Sequence, residues 1–175
     1  MTSKATDTGS VQVLHYLKRN PKFTRDQFWA YWKDVHGPKF LPVAEKYGFI
    51  QYQQLRTFGK VIPASSPESA PNVADVESKG ETAGLVEFDG IAMFLVPSLD
   101  SIKAAVEDPY YLNVVKPDEY NLMDKSAPGR GIVASFHGLM VPIVQNGDDA
   151  TGDELRAEVQ KSREAFAEIS GVAKA

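Results

Sequence analysis

An α+β fold is predicted for this chain: four strands and two main helical stretches in the order β-α-β-β-α-β, with a further helix near the C-terminal end. Three observations predict it. Short β-rich apolar runs alternate with stretches of helical spacing, two capping-box patterns mark helix starts, and Gly, Pro and Asn punctuate the boundaries. The chain has 175 residues, enough for one domain with a buried core.

The first strand is Val11 to Lys18, stopped by Arg19-Asn20-Pro21. Thr24-Arg25-Asp26-Gln27 then reads as a capping box, the Thr24 hydroxyl accepting from an early helix N–H while Gln27 reaches back. Phe28, Trp32 and Val35 follow at i, i+4, i+7 spacing, which predicts a helix. Gly37-Pro38 is expected to interrupt it, since proline disfavours helical geometry in the residue before it. A second piece, Lys39 to Tyr47, stops at Gly48, and Phe49 to Phe58 reads as the second strand.

Residues 59–82 are rich in Pro, Ser, Ala and Glu without periodicity. Loops longer than about 12–15 residues are usually functional or disordered, so the segment reads as a mobile flap or a disordered loop. Gly84 to Val96 is the third strand, bent at Asp89-Gly90. Ser98 to Val115 is mostly helical with a break at Asp108-Pro109, Lys116 to Arg130 reads as polar and irregular, and Gly131 to Val144 is the fourth strand. Thr151-Gly152-Asp153-Glu154 forms the second capping box, with Leu155, Val159, Phe166 and Ile169 on one face of a helix over 151–170. The expected organisation is a disordered tail over 1–10, a domain over 11–144 and that helix.

This order is the split βαβ arrangement of ferredoxin-like domains, with an antiparallel four-stranded sheet. Two helices cover one face only, yet the third and fourth strands are apolar at both parities, as strands buried on both faces are. A second copy of the sheet, giving a homodimer, is the simplest cover; the C-terminal helix folded back is the other.

Composition narrows the function. A net charge of -4 provides no basic stripe for phosphates, which excludes a nucleic-acid partner. No secretory leader is seen in the first ten residues and no apolar run approaches the roughly 18 residues of a membrane span, so no membrane partner and a cytoplasmic location are expected. The absence of cysteine removes disulfides and thiolate chemistry. The three histidines lack a short metal-binding spacing, so neither metal nor cofactor is expected.

Thr24 to Trp32, continuing to Val35-His36-Gly37-Pro38, resembles the signature of the EthD family, a capped helix ending in His-Gly-Pro. Phe88-Asp89-Gly90-Ile91-Ala92, with Pro97 to Ile102 and Asp108-Pro109, resembles that family's third strand and second helix. The resemblance covers roughly residues 11–144. It implies a ferredoxin-like fold closing a dimeric α/β barrel. It also implies a cofactor-free decarboxylase, dehydratase or cyclase acting on a small aromatic or polyketide-type acid. An anthrone-type oxygenase is the alternative within the same barrel, and a non-catalytic ligand-binding dimer is an alternative of another class. Where the family often carries Asp-Gly-x-Ala-Glu, this chain has Met93.

His36 is the leading catalytic candidate, because histidine gives and takes protons near neutral pH; its other reading is a cap on the helix end. His137 and a tyrosine are candidates to stabilise an enolate, and Asp89 to orient a histidine. His15 shares a strand face with Val11, Val13 and Leu17, away from Tyr16, and Tyr52, Tyr110 and Tyr111 are candidate phenols for the pocket. Arg56, Arg19 and Lys39 are candidates to hold a carboxylate. Each also has a structural reading as core filler or solvent-facing charge.

Overall fold

The structure, a computed structural model, describes residues 9–61 and 86–171. The chain divides into two compact units. One runs Val11–Gly138; the other comprises the chain up to Ser10 together with Leu139 onward.

The larger unit begins with β1 (Val11–Leu17) and α1 (Arg25–Tyr31). The capping box forms as expected: the Gln27 amide donates to Thr24 Oγ1 at 3.3 Å and the Thr24 amide to Gln27 Oε1 at 2.9 Å. The helix is not broken at Gly37-Pro38. It passes through a π turn, Trp32–His36, and continues as α2 (Gly37–Lys46). The Gly37 amide donates back to the Trp32 carbonyl, five residues earlier, and this wider turn carries the chain into Pro38.

The wider turn also resets which residues face inward. The buried positions are Phe28, Trp32, His36 and Phe40, four apart throughout, instead of the Phe28, Trp32, Val35 set that an undisturbed helix would give. One extra residue in the turn moves Val35 off the inner face and puts His36 on it.

β2 (Gln51–Leu55) follows, then β3 (Gly59–Val61) paired antiparallel with β4 (Val86–Phe88), and β5 (Gly90–Val96). Residues 59–61 therefore belong to a strand and not to the expected flap, whose remainder, from residue 62, lies outside the described residues. Asp89 separates β4 from β5, where the sequence predicted a bend. A Cβ on Gly90 would come within 2.7 Å of the Trp32 ring and 3.3 Å of Phe28, so the missing side chain lets the first helix lie on the sheet.

The second helical stretch opens with Ser98 capping α3 (Leu99–Glu107). A second π turn, Tyr111–Val115, leads into α4 (Lys116–Leu122), and the Lys116 amide bonds the Tyr111 carbonyl just before Pro117. The irregular segment expected from Lys116 to Arg130 is thus a helix in its first half. Pro117 sits at its start, where a missing N–H breaks no bond. β6 (Ile132–Leu139) completes the sheet.

The sheet order is β2-β5-β1-β6. β5 runs antiparallel to both β1 and β2, with His15 opposite Ala92 and Tyr52 opposite Phe94. This is the ferredoxin-like topology, an α+β fold. On β5, Gly90, Ala92, Phe94 and Val96 are buried while Ile91, Met93 and Leu95 on the other face are half-buried. Val13, Leu17, Phe28, Trp32, Phe40, Val43 and Leu122 contribute to the core between sheet and helices.

The second unit holds a small hairpin, β7 (Val144–Gln145) with β8 (Asp148–Asp149), and α5 (Arg156–Ser170). The fourth strand ends at Leu139 and not at Val144, because Pro142 has no N–H for a ladder and Val144 pairs with Asp149. Thr151 does not cap a helix. Its amide and hydroxyl both turn back to Asp149 Oδ1 at 3.0 and 2.7 Å, and α5 starts after Leu155 without a side-chain cap. The expected apolar stripe is exposed at Leu155, Phe166 and Ile169. Among the described residues no helix is long and apolar enough to cross a membrane.

Candidate active site

A cavity of about 140 Å³ lies within the larger unit, between the sheet and the helices. Its wall is mostly apolar, with Phe40, Phe49, Phe94, Ile102 and Leu122 among the lining residues. The polar groups that reach it are His15 from β1, Trp32 and His36 from the first π turn, Tyr52 from β2, Tyr111 from the second π turn and Glu119 from α4. Each of the two π turns therefore delivers lining residues, in keeping with the frequency of such turns at functional sites.

His36 is 7% exposed, and its Nδ1 lies 2.9 Å from Asp118 Oδ2. Asp118 is 4% exposed and stands behind the ring, outside the lining. Its other oxygen accepts from the Tyr31 hydroxyl at 2.6 Å and from Lys39 Nζ at 2.5 Å. Burial works against the Asp118 carboxylate, but the bonds from Lys39, Tyr31 and His36 outweigh it and hold the carboxyl below the usual range. An ionised carboxylate only accepts, so Nδ1 carries a proton toward Asp118, and in the neutral ring Nε2 is the nitrogen that keeps its lone pair. That lone pair is the basic atom available to a guest in the cavity. His36 lines the cavity and arrives there by a continuous helix, not by a kink.

Tyr52 complements it. Its phenol oxygen accepts from Trp32 Nε1 and Gln54 Nε2, each at 3.0 Å, and Gln54 Nε2 also bonds the Trp32 carbonyl at 3.1 Å. With two donors already aimed at its oxygen, the Tyr52 proton is left to donate. Burial raises its pKa to about 12, so the phenol stays protonated. His15 faces the cavity, its ring edge-on to Phe94 at 5.6 Å, and burial lowers its pKa, which favours the neutral imidazole. Tyr111 donates to Glu119 Oε1 at 2.5 Å; burial and the Glu119 charge push its pKa far up.

Six of the residues chosen from sequence do not join this group. His137 is exposed on the edge strand β6 and is not in the lining; the strand loses its cover toward its C-terminal half. Asp89 is buried, but it is occupied in holding the strand break. Its carboxylate accepts from Arg25 Nε at 3.1 Å and the Arg19 amide at 3.2 Å, while its carbonyl accepts from Trp29 Nε1 at 2.7 Å. It orients no histidine. Arg56 and Tyr110 are exposed and outside the lining. Lys39 is tied to Asp118, and Arg19 to the Phe23 carbonyl and Asp89. Met93 lies on the face opposite Ala92 and Phe94, so the departure at that position does not touch the lining.

Asp118 and Glu119 were not identified from sequence. The available signal was Pro117-Asp118-Glu119, a proline followed by acids, which is how many helices begin. Among the described residues no cluster of three or more His, Asp or Glu side chains is placed to hold a metal.

The chain is thus an α+β protein of ferredoxin-like topology with a carboxylate-backed histidine on an apolar cavity. The chain belongs to the EthD family: the EthD domain pattern matches residues 20–126, more than half of its length. It is similar to a dehydratase, ustZ, of Ustilaginoidea virens, at 24% identity over 79% of this chain and 88% of that one. A second relative, the dehydratase CTB10 of Cercospora beticola, is 20% identical over 62% of this chain and 76% of its own. An EthD-like protein of Ralstonia eutropha aligns at a TM-score of 0.42 and 17% identity, covering 79% of this chain and 95% of that one. The fold assignment rests on the strand order itself.

Proposed function

We propose that the chain is a lyase of dehydratase type, removing water from a β-hydroxy ketone of polyketide character held in this cavity. The observation that carries the reading is His36, its Nδ1–H committed to Asp118 and its Nε2 free beside an apolar hollow. The two dehydratase relatives support it.

The chemistry balances without an added reactant. Nε2 takes the proton α to the carbonyl, and the C–H electron pair flows toward a carbonyl oxygen held by the Tyr52 O–H. The enolate then collapses to a C=C bond as the β C–O bond breaks, and the departing hydroxide takes the proton back from Nε2 as water. The ring ends as it began. Asp118 keeps the proton on Nδ1 and stabilises the imidazolium in between. Burying this exchange among Phe40, Phe94 and Leu122 strengthens each electrostatic contact.

The test is product identity. The purified chain, offered a panel of β-hydroxy aryl ketones and the corresponding β-keto acids, is expected to yield products lighter by one water, read by mass spectrometry. Loss of CO2 from the keto acids with the hydroxy ketones untouched would replace dehydration by decarboxylation, and oxygen uptake would favour an oxygenase.

We infer also that two copies assemble through the sheet. Leu14, Tyr16, Met93 and Leu95 are only half-covered on the face away from the helices, and Leu55 and Phe136 are exposed. Sedimentation velocity is expected to show twice the chain mass; a monomer at all concentrations contradicts this.

A further inference from the structure

The cavity lining holds a second polar pair that the mechanism above leaves unused. Tyr111 and Glu119 both line it, the phenol donating its proton to the carboxylate at 2.5 Å. With that proton committed, the Tyr111 oxygen presents lone pairs only. Glu119 is likewise an acceptor, with Lys125 Nζ 3.7 Å from its second oxygen and outside the lining. Burial pushes the Lys125 ammonium below the usual lysine range.

The two groups are opposite in character. Tyr52 has both of its acceptor positions used and a proton to give, while the Tyr111–Glu119 pair has its proton used and lone pairs to offer. A guest that satisfies both must accept from one and donate to the other. Among the described residues no lysine or arginine lines the cavity, whereas Glu119 brings a carboxylate to it. A guest bearing its own carboxylate would meet an acceptor of the same sign, whose lysine partner Lys125 stands outside the lining.

We propose that Tyr111 and Glu119 are the specificity-determining pair of this cavity, selecting a neutral ring system that carries a carbonyl and a hydroxyl over its carboxylated counterpart. The proposal rests on the lyase reading in taking the same cavity as the site, and it names that site's substrate class. It concerns recognition alone, so its test is binding and not turnover.

Three probes separate the possibilities: 6-hydroxy-1-tetralone, 1-tetralone, and 1-tetralone-6-carboxylate. Dissociation constants are measured by calorimetry at a pH below the titration of the phenol and above that of the carboxylic acid. The hydroxylated probe is expected to bind at least about tenfold more tightly than the carboxylate, the scale set by one unpaired polar group, with the parent ketone between them. Glu119→Gln should raise carboxylate affinity and narrow the gap. Tyr111→Phe should instead weaken the hydroxylated probe while the carboxylate stays excluded, because the charge remains. A parent chain that ranks the probes but dehydrates none of the β-hydroxy ketones counts against the lyase reading and not against this one. Equal binding of all three, no measurable binding of the hydroxylated probe, or a ranking indifferent to both pocket variants overturns the proposal.

Discussion

His36→Gln is expected to lower turnover by about 10²–10⁴-fold, the usual contribution of a positioned acid–base group, with little change in KM. Glutamine can keep a hydrogen bond to Asp118, so the carboxylate is not orphaned and the chain should fold as before. What is lost is Nε2, the ring nitrogen not bonded to Asp118, on a residue that lines the cavity. Steady-state kinetics beside a thermal melt separate the two effects. A kcat within a few-fold of the parent would remove His36 from the chemistry.

Asp118→Asn should approach the same loss of turnover by a different route. The amide can accept on one side only and must donate on the other. If its NH2 meets His36, Nδ1 becomes an acceptor, the ring proton moves to Nε2, and the base is spent. If it meets Tyr31 and Lys39, two donors there lose their acceptor. In the second case buried donors go unpaired, and a stability loss of about 1–3 kcal/mol is expected in denaturant melts; in the first the loss falls on turnover alone. The lower end applies if Lys39, whose side chain is 36% exposed, recovers water. The pH dependence follows from the depressed Asp118 value. Its contribution to stability is complete above the unfolded value of about 4 and is lost as pH falls through the lower folded one. Above that window the parent keeps its tautomer, and the variant should show no comparable acid-side loss. A variant as active as the parent would show that the carboxylate does not set the tautomer.

Residues with strong local signatures were legible in the sequence. Thr24 and Gln27 announce the first helix, the alternation around His15 fixes which way that side chain faces, and the order of elements gives the sheet. Gly37-Pro38 misled because the rule against helical geometry before proline has an exit. A π turn can carry the chain through, and it does so again at Lys116-Pro117. The same exit hid α4, a seven-residue helix with too few apolar positions to show a period, and with it Asp118 and Glu119. His137 and Asp89 failed for a different reason. Alternation says which face a side chain takes but not how far along a strand the helices cover it, and a buried aspartate can as well fasten a strand break as serve a histidine.

The most direct test is the ring tautomer of His36 itself. Long-range proton–nitrogen spectra of histidine-labelled chain, assigned through single variants of the three histidines, should show that the neutral His36 ring holds its proton on Nδ1, with an unprotonated Nε2 that shifts when a ketone probe is added. A proton resting on Nε2 in the free chain, or an Nε2 signal indifferent to the probe, would contradict the account.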